Sequence, residues 1–435
     1  MTNEERKIKY AKRNIKMFPV FCALTWDVLF VWTISTLFLT EQKGLSASEL
    51  IMLNSILMLS AAIMVVPIGK LFQNIKPILS CRIAMFGYLA YCLCLIFGNS
   101  YFVFALGYVF LGFGYSVISV KSNSVLTDSL SVVKRDKDYQ RVYGKGLSLF
   151  YTLECVGAIA ITYVYNWKPY LTYWISAAVV VFIILYTFLM VEPSKFQERN
   201  AIIENVQEKG KSKRPDSYFK ILTSAFFVML LLFMFLVRGV TSIASESFKL
   251  YLQSAIGFGT IPAWAYGYIY AGSRLCNALA NNFQFKFNLK FGVRSIVFMV
   301  FALIATFLIN SLTFLYCSNV YIALVVIIVS SYILNAIRPV CSVFVNNYMQ
   351  VCMPKKNIER AYAIRTMVEY IGYAMVSAIY ARILAGVNDN YGYANLIHIS
   401  IYAIPLIIVM IVFIRHLCRK HAQKYTIIRS EYTED

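Results

Sequence analysis

Apolar residues gather in long blocks along this chain, separated by short polar connections. A helix that crosses the hydrocarbon core of a bilayer needs about 20 predominantly apolar residues. Twelve blocks meet that measure, near residues 17–39, 48–72, 78–98, 100–122, 140–165, 168–190, 221–251, 261–285, 292–311, 319–348, 358–385 and 394–417. The expected fold class is all-α, an integral membrane protein with twelve transmembrane helices. The longest polar stretch, 191–220, divides these spans six and six. It predicts an amino-terminal six-helix bundle over 1–190, a cytoplasmic linker over 191–220, a carboxyl-terminal six-helix bundle over 221–418 and a cytoplasmic tail over 419–435. The other connections are short. In one of them Ser46, with Glu49 three residues on, reads as a capping box that starts the second span.

Composition agrees with that pattern. Of 435 residues, 59% are hydrophobic and only 14% charged, against about 25% charged in soluble domains. A soluble enzyme is excluded. The net charge of +20 first suggests nucleic acid, but the placement of Lys and Arg argues otherwise. Counted over alternate connections, 32 basic residues fall on one side and three (Lys43, Lys168 and Lys249) on the other. Cytoplasmic loops keep positive charge, so the count orients twelve spans with both termini in the cytoplasm and leaves no single basic face for nucleic acid. The basic start leads into an apolar stretch longer than a signal-peptide core, which reads as an uncleaved first span. The ten cysteines lie almost all inside apolar segments without Cys-x-x-Cys spacing, so free thiols are expected, with no disulfide framework and no metal site. Gly112-Phe113-Gly114 and Gly257-Phe258-Gly259 lack the strand and lysine of a nucleotide loop. No cofactor is expected, and small residues in the fourth span serve close helix packing.

The two halves share a local repeat. Thr127-Asp128, a basic loop and Arg141-Val142-Tyr143-Gly144 recur as Asn346-Asn347, a basic loop and Arg360-Ala361-Tyr362-Ala363, at an offset of 219 for both landmarks. These places correspond in a duplicated six-helix fold.

Twelve spans, cytoplasmic termini, a basic central loop and this repeat together resemble the major facilitator superfamily of secondary transporters. Trp26-Asp27, followed by Phe38-Leu39-Thr40 and Gly44-Leu45-Ser46, resembles a common opening of bacterial members. The family's signature between the second and third spans is Gly-x-Leu-x-Asp-Arg-x-Gly. Here Gly69 and Leu71 are kept, while Gln73 stands in the aspartate place and Asn74 in the arginine place. Cys155-Val156-Gly157-Ala158 lacks the proline and paired glycines of the drug exporters' fifth span. The resemblance implies alternating access, driven by an ion gradient since no ATP-binding motif exists, at a midplane site between the halves.

Charges inside the spans are the candidates for that site. Each costs about 2.5–3.5 kcal/mol at the bilayer centre, and here they are Asp27, Glu154, Arg238, Glu246, Arg274, Arg338, Arg365, Glu369 and Arg382. Spans 3, 6, 9 and 12, the outer supports of the resembled fold, carry none away from their ends. Trp26, Arg238, Arg274, Arg338 and Arg365 are expected to bind substrate, so the solute carries an anionic or zwitterionic group. A carboxylate isolated among apolar neighbours can exchange a proton near neutral pH. Asp27, Glu154 and Glu369 are therefore the expected proton-coupling residues. Arg365 and Glu369, four apart on one helix face, have a second reading as an internal lock, and so have Arg338 and Arg382. Asp128, Arg141 and Lys145 read as gating residues at the cytoplasmic mouth. The expected partners are a small-molecule substrate, a coupling proton and the lipid bilayer of the plasma membrane, around a monomer. Two rival readings are a multispanning membrane enzyme on lipid-linked substrates and a receptor or scaffold of the same fold.

Overall fold

The computed structural model describes residues 3–25, 28, 30–71, 75–135, 138–192, 225–257, 261–262, 264–291, 294–352 and 358–420. Helices account for nearly all of them, and no strand occurs among the described residues. In chain order they are α1 (Asn3–Thr25), α2 (Val31–Leu37), α3 (Ala47–Leu71), α4 (Pro77–Phe97), α5 (Tyr101–Val132), α6 (Tyr139–Trp167) and α7 (Pro169–Phe188). The series continues with α8 (Ala225–Gly257), α9 (Ala265–Phe291), α10 (Arg294–Tyr316), α11 (Val320–Cys352), α12 (Ile358–Gly386) and α13 (Tyr391–Lys420).

Ten of these, α3–α8 and α10–α13, contain stretches long and apolar enough to cross a membrane. The other two expected spans fall short of that measure among the described residues, each for a visible reason. The first is interrupted: α1 opens on a polar turn carrying Glu4 and Glu5, Val28 and Phe30 lie outside any helix, and α2 begins at Val31. At the break Phe30 sits in the left-handed region, with φ 76°, which is uncommon for a bulky side chain. Beyond α2 the chain widens into a π-helical turn over Phe38–Gln42. The second, α9, is diluted by Arg274, Asn277 and further Asn and Lys residues along its length.

The chain divides into two compact units, one drawn from Met1–Leu45 and Ile56–Arg214, the other from Ser46–Ser55 and Pro215–Asp435. In the first, α4 packs on α5 and α7, while α1 packs on α6 and α5. Small residues permit the close crossings: the Ser116 hydroxyl of α5 donates to the Ala61 carbonyl of α3 at 2.7 Å, and a Cβ on Gly87 would stand 2.8 Å from the Phe110 carbonyl oxygen. The expected capping box is present, with the Ser46 amide donating to Glu49 Oε2 at 2.8 Å and the Glu49 amide to Ser46 Oγ at 3.3 Å. In the second unit α8 packs chiefly on α12, then on α13 and α11, and α10 packs on α13 and α11.

Candidate functional site

The second unit gathers most of the buried charge. Arg238 lies in the middle third of α8, and Glu246 and Lys249 follow on the same helix, spaced i, i+3 so that they share a face. On α12, Arg365, Glu369 and Tyr373 repeat every fourth residue and form one stripe. On α9, Tyr270 and Arg274 are likewise one turn apart. Because α8 packs on α12, the rows meet. The Arg238 guanidinium carbon is 5.4 Å from the centre of the Tyr373 ring, and the Tyr373 hydroxyl donates to Glu246 Oε1 at 3.4 Å. Lys249 Nζ donates to the same carboxylate oxygen at 3.4 Å. Lys249 Nζ lies 5.9 Å from the centre of the Tyr270 ring and the Arg274 guanidinium carbon 4.7 Å from it. Arg274 also donates to the Tyr270 hydroxyl. Arg238, Tyr373, Glu246, Lys249, Tyr270 and Arg274 thus form one continuous cluster with three cations and one carboxylate.

Two features of this cluster point outward to a ligand. Arg238 Nη1 is buried with no hydrogen-bond partner among the described residues, and a buried donor on a charged group costs at least about 1–3 kcal/mol when unsatisfied. Lys249 and Arg274 both press on Tyr270, so two like charges share one ring, and Glu246 pairs with Lys249 beside it. Such a site favours a second negative charge.

Sequence reasoning placed Lys249 in a connection on the lysine-poor side. The structure corrects this: Lys249 is buried within α8 and paired with Glu246. The i, i+3 spacing of two opposite charges inside an apolar stretch was the available signal. Arg365 and Glu369 form a close ion pair with both side chains largely buried, which favours their reading as a lock. Arg382 is exposed on α12. Arg338 lies on α11, but its side chain is outside the described residues.

In the first unit Glu154 is buried on α6. One turn away, Gly157 leaves room for the Phe30 ring, which a Cβ would overlap, so Phe30 seats against α6 one turn from Glu154. Phe30 also packs on the buried pair Ala23 and Phe150. Trp26 and Asp27 lie outside the described residues. Trp32 donates its indole N–H to the Tyr115 hydroxyl at 3.0 Å nearby on α5. Of the three gating candidates, Asp128 on α5 and Lys145 on α6 are exposed, and the side chain of Arg141 is outside the described residues. Gln73 and Asn74 of the signature loop also lie outside them.

A polar group that sequence reasoning left aside sits behind α8. Ser247 donates to the Tyr380 hydroxyl at 2.9 Å, and that hydroxyl donates to Asn395 Oδ1 at 2.8 Å. His398 of α13 is fully buried against the rings of Phe307, Tyr380 and Tyr402. No group of three or more His, Cys, Asp or Glu gathers for a metal among the described residues.

Comparison with known proteins bears on this arrangement. A family model described as Major Facilitator Superfamily matches residues 17–377. A search of curated proteins finds no match. Among solved structures, a point mutant of the nucleoside transporter NupG is similar with a TM-score of 0.70 at 13% identity, over 92% of this chain and 99% of that one. A second structure of NupG is similar with a TM-score of 0.65 at 11% identity, over 95% and 99% of the two chains.

Proposed function

The chain belongs to the Major Facilitator Superfamily, and on that premise we propose that it carries a small organic solute with an anionic or zwitterionic group, by alternating access, with proton coupling. It is a multi-pass membrane protein and a secondary transporter, not an enzyme. The observation that supports the anionic reading is the buried, unpartnered Nη1 of Arg238, set in a cluster of three cations and one carboxylate. A bound carboxylate or phosphate group would satisfy that donor and offset the repulsion across Tyr270. Glu246 gives the cluster a place for an ammonium group, which admits zwitterions. At 13% identity the likeness to NupG carries the fold and leaves the choice of solute to the cluster.

The coupling proton is assigned to a buried carboxylate, with Asp27, Glu154 and Glu369 as the sequence candidates. The partition of 32 basic residues against two, Lys43 and Lys168, once Lys249 is placed inside α8, supports a cell-membrane orientation with both termini in the cytoplasm. The protein is taken to work as a monomer.

The test is binding and uptake across charge types in wild type, Arg238→Gln and Arg274→Gln. A charge-assisted hydrogen bond contributes about 1.5–3 kcal/mol, so each substitution is expected to weaken anion binding about 10–100-fold and leave a neutral solute unaffected. Unchanged anion affinity in both variants would refute the anionic reading.

A further inference from the structure

We propose that Glu246, held by Lys249 and Tyr373, is the carboxylate that takes up the coupling proton when an anion enters the cluster; this rests on the anionic reading above. The geometry distinguishes it from Glu369, the ion-paired carboxylate on α12. Glu369 is tightly engaged by Arg365. Glu246 is held loosely, with both its Lys249 and its Tyr373 contacts at 3.4 Å, where a charge-assisted bond closes to about 2.7–2.9 Å.

Burial makes that looseness consequential. The side chains of Lys249 and Glu246 are only 4% and 11% exposed, and a buried ion pair repays its desolvation only when the geometry is good. This pair is therefore poised to separate. Its neighbours supply the alternative partners. On its own helix Glu246 has Lys249 and, two turns away, Arg238. From α12 it meets the Tyr373 hydroxyl, and across Lys249 it meets Tyr270 and Arg274 of α9. The Tyr332 hydroxyl of α11 is spent on the Ile269 carbonyl, and His398 of α13 lies against Tyr380, on the side that Ser247 faces.

An incoming monoanion draws Lys249 toward itself and places a like charge beside Glu246. The Glu246 carboxylate then accepts one proton from water, with no bond broken other than that to the proton's donor. Anion and proton together add no net charge to the buried cluster. By linkage the effect is reciprocal: a proton on Glu246 strengthens anion binding by the same factor that the anion strengthens proton binding.

The experiment uses the purified full chain with benzoate, glutarate and uridine 5′-monophosphate as anion probes and uridine as the neutral control. Two quantities are read, the pH dependence of affinity and proton uptake from weakly buffered solution on binding. Wild type is expected to bind at least one anion about tenfold more tightly per unit fall in pH, with about one proton taken up per anion. Glu246→Gln is expected to lose both the slope and the uptake, so that whatever anion affinity it shows no longer varies with pH. Should Glu246→Gln fail to fold with Lys249 left unpaired, the double variant Glu246→Gln, Lys249→Met removes both charges and is expected to show the same loss of slope. A full slope in either variant, or loss of the slope in Glu154→Gln with Glu246→Gln unchanged, overturns the proposal alone. Failure of wild type to bind any of the three anions overturns the anionic reading and this proposal with it.

Discussion

At Gly112, α5 comes so close to α3 that a Cβ would stand 2.7 Å from the Leu57 carbonyl oxygen and overlap the Ser60 hydroxyl. Backbone cannot yield as a side-chain tip can. Gly112→Val is expected to destabilise the first unit by about 1–3 kcal/mol, the usual cost of overpacking, read as a lower unfolding temperature in detergent. A variant that melts with wild type would show that α3 and α5 can separate freely. This crossing was legible in the sequence, because clustered glycines in an apolar span have few other uses. Lys249 was not. Its position near the end of an apolar block fits a connection as well as a helix, and only the folded neighbours, Glu246 and Tyr270, reveal which. Glu246 was visible as a charge inside a span, but its pairing with Tyr373 depends on a crossing between α8 and α12 that spacing within α8 cannot disclose.

Between elements of the first unit, hydrogen bonds hold the end of α7 and the residues after it to the middle of α1 and the first turns of α4. Arg82 donates to the Thr187 hydroxyl at 3.0 Å and to its carbonyl at 2.8 Å. Asn14, buried on α1, donates to the Val191 carbonyl at 2.8 Å and accepts from its amide at 3.2 Å. The helix α4 has no capping side chain of its own at Lys76, and Glu192 takes that part by accepting from the Ile78 amide at 2.5 Å. Burial holds the Glu192 carboxyl above its ordinary value of 4.5, with Asp128 adding to the rise, while the Ile78 amide, Lys76 and Arg82 oppose it. A carboxyl that holds its proton more tightly when folded contributes stability below its unfolded value and loses it as pH rises through the folded value. The wild-type protein is therefore expected to lose part of its stability as pH rises from about 4.5 upward, and Glu192→Gln, which keeps an acceptor for Ile78, to show a flatter profile. An identical pH slope in wild type and variant, measured by thermal unfolding, would assign that slope elsewhere. The existence of most helices was legible, since hydropathy alone marks them. Their ends were less so: α5 runs to Val132 and α11 to Cys352, beyond the apolar blocks, because a helix continues into water where its backbone bonds persist. The break at Phe30 left no glycine or proline to announce it.

For the molecule as a whole, two populations of charge carry separate meanings. Most basic residues lie in or near the connections, while the buried ones gather on α8, α9 and α12. Ten of the twelve expected spans were readable, because bilayer thickness fixes span length. The composition of the cluster was readable in part, since a buried arginine always needs a reason. Its connectivity was not, because that depends on which helix faces meet. The measurement that tests the account most directly is gradient-driven uptake into proteoliposomes, acidic outside, of benzoate, glutarate and uridine 5′-monophosphate beside uridine. Accumulation of at least one anion beyond equilibrium is expected, abolished by a protonophore and reduced about 10–100-fold in initial rate at subsaturating solute by Arg238→Gln. Accumulation of uridine alone, indifferent to Arg238, would contradict it.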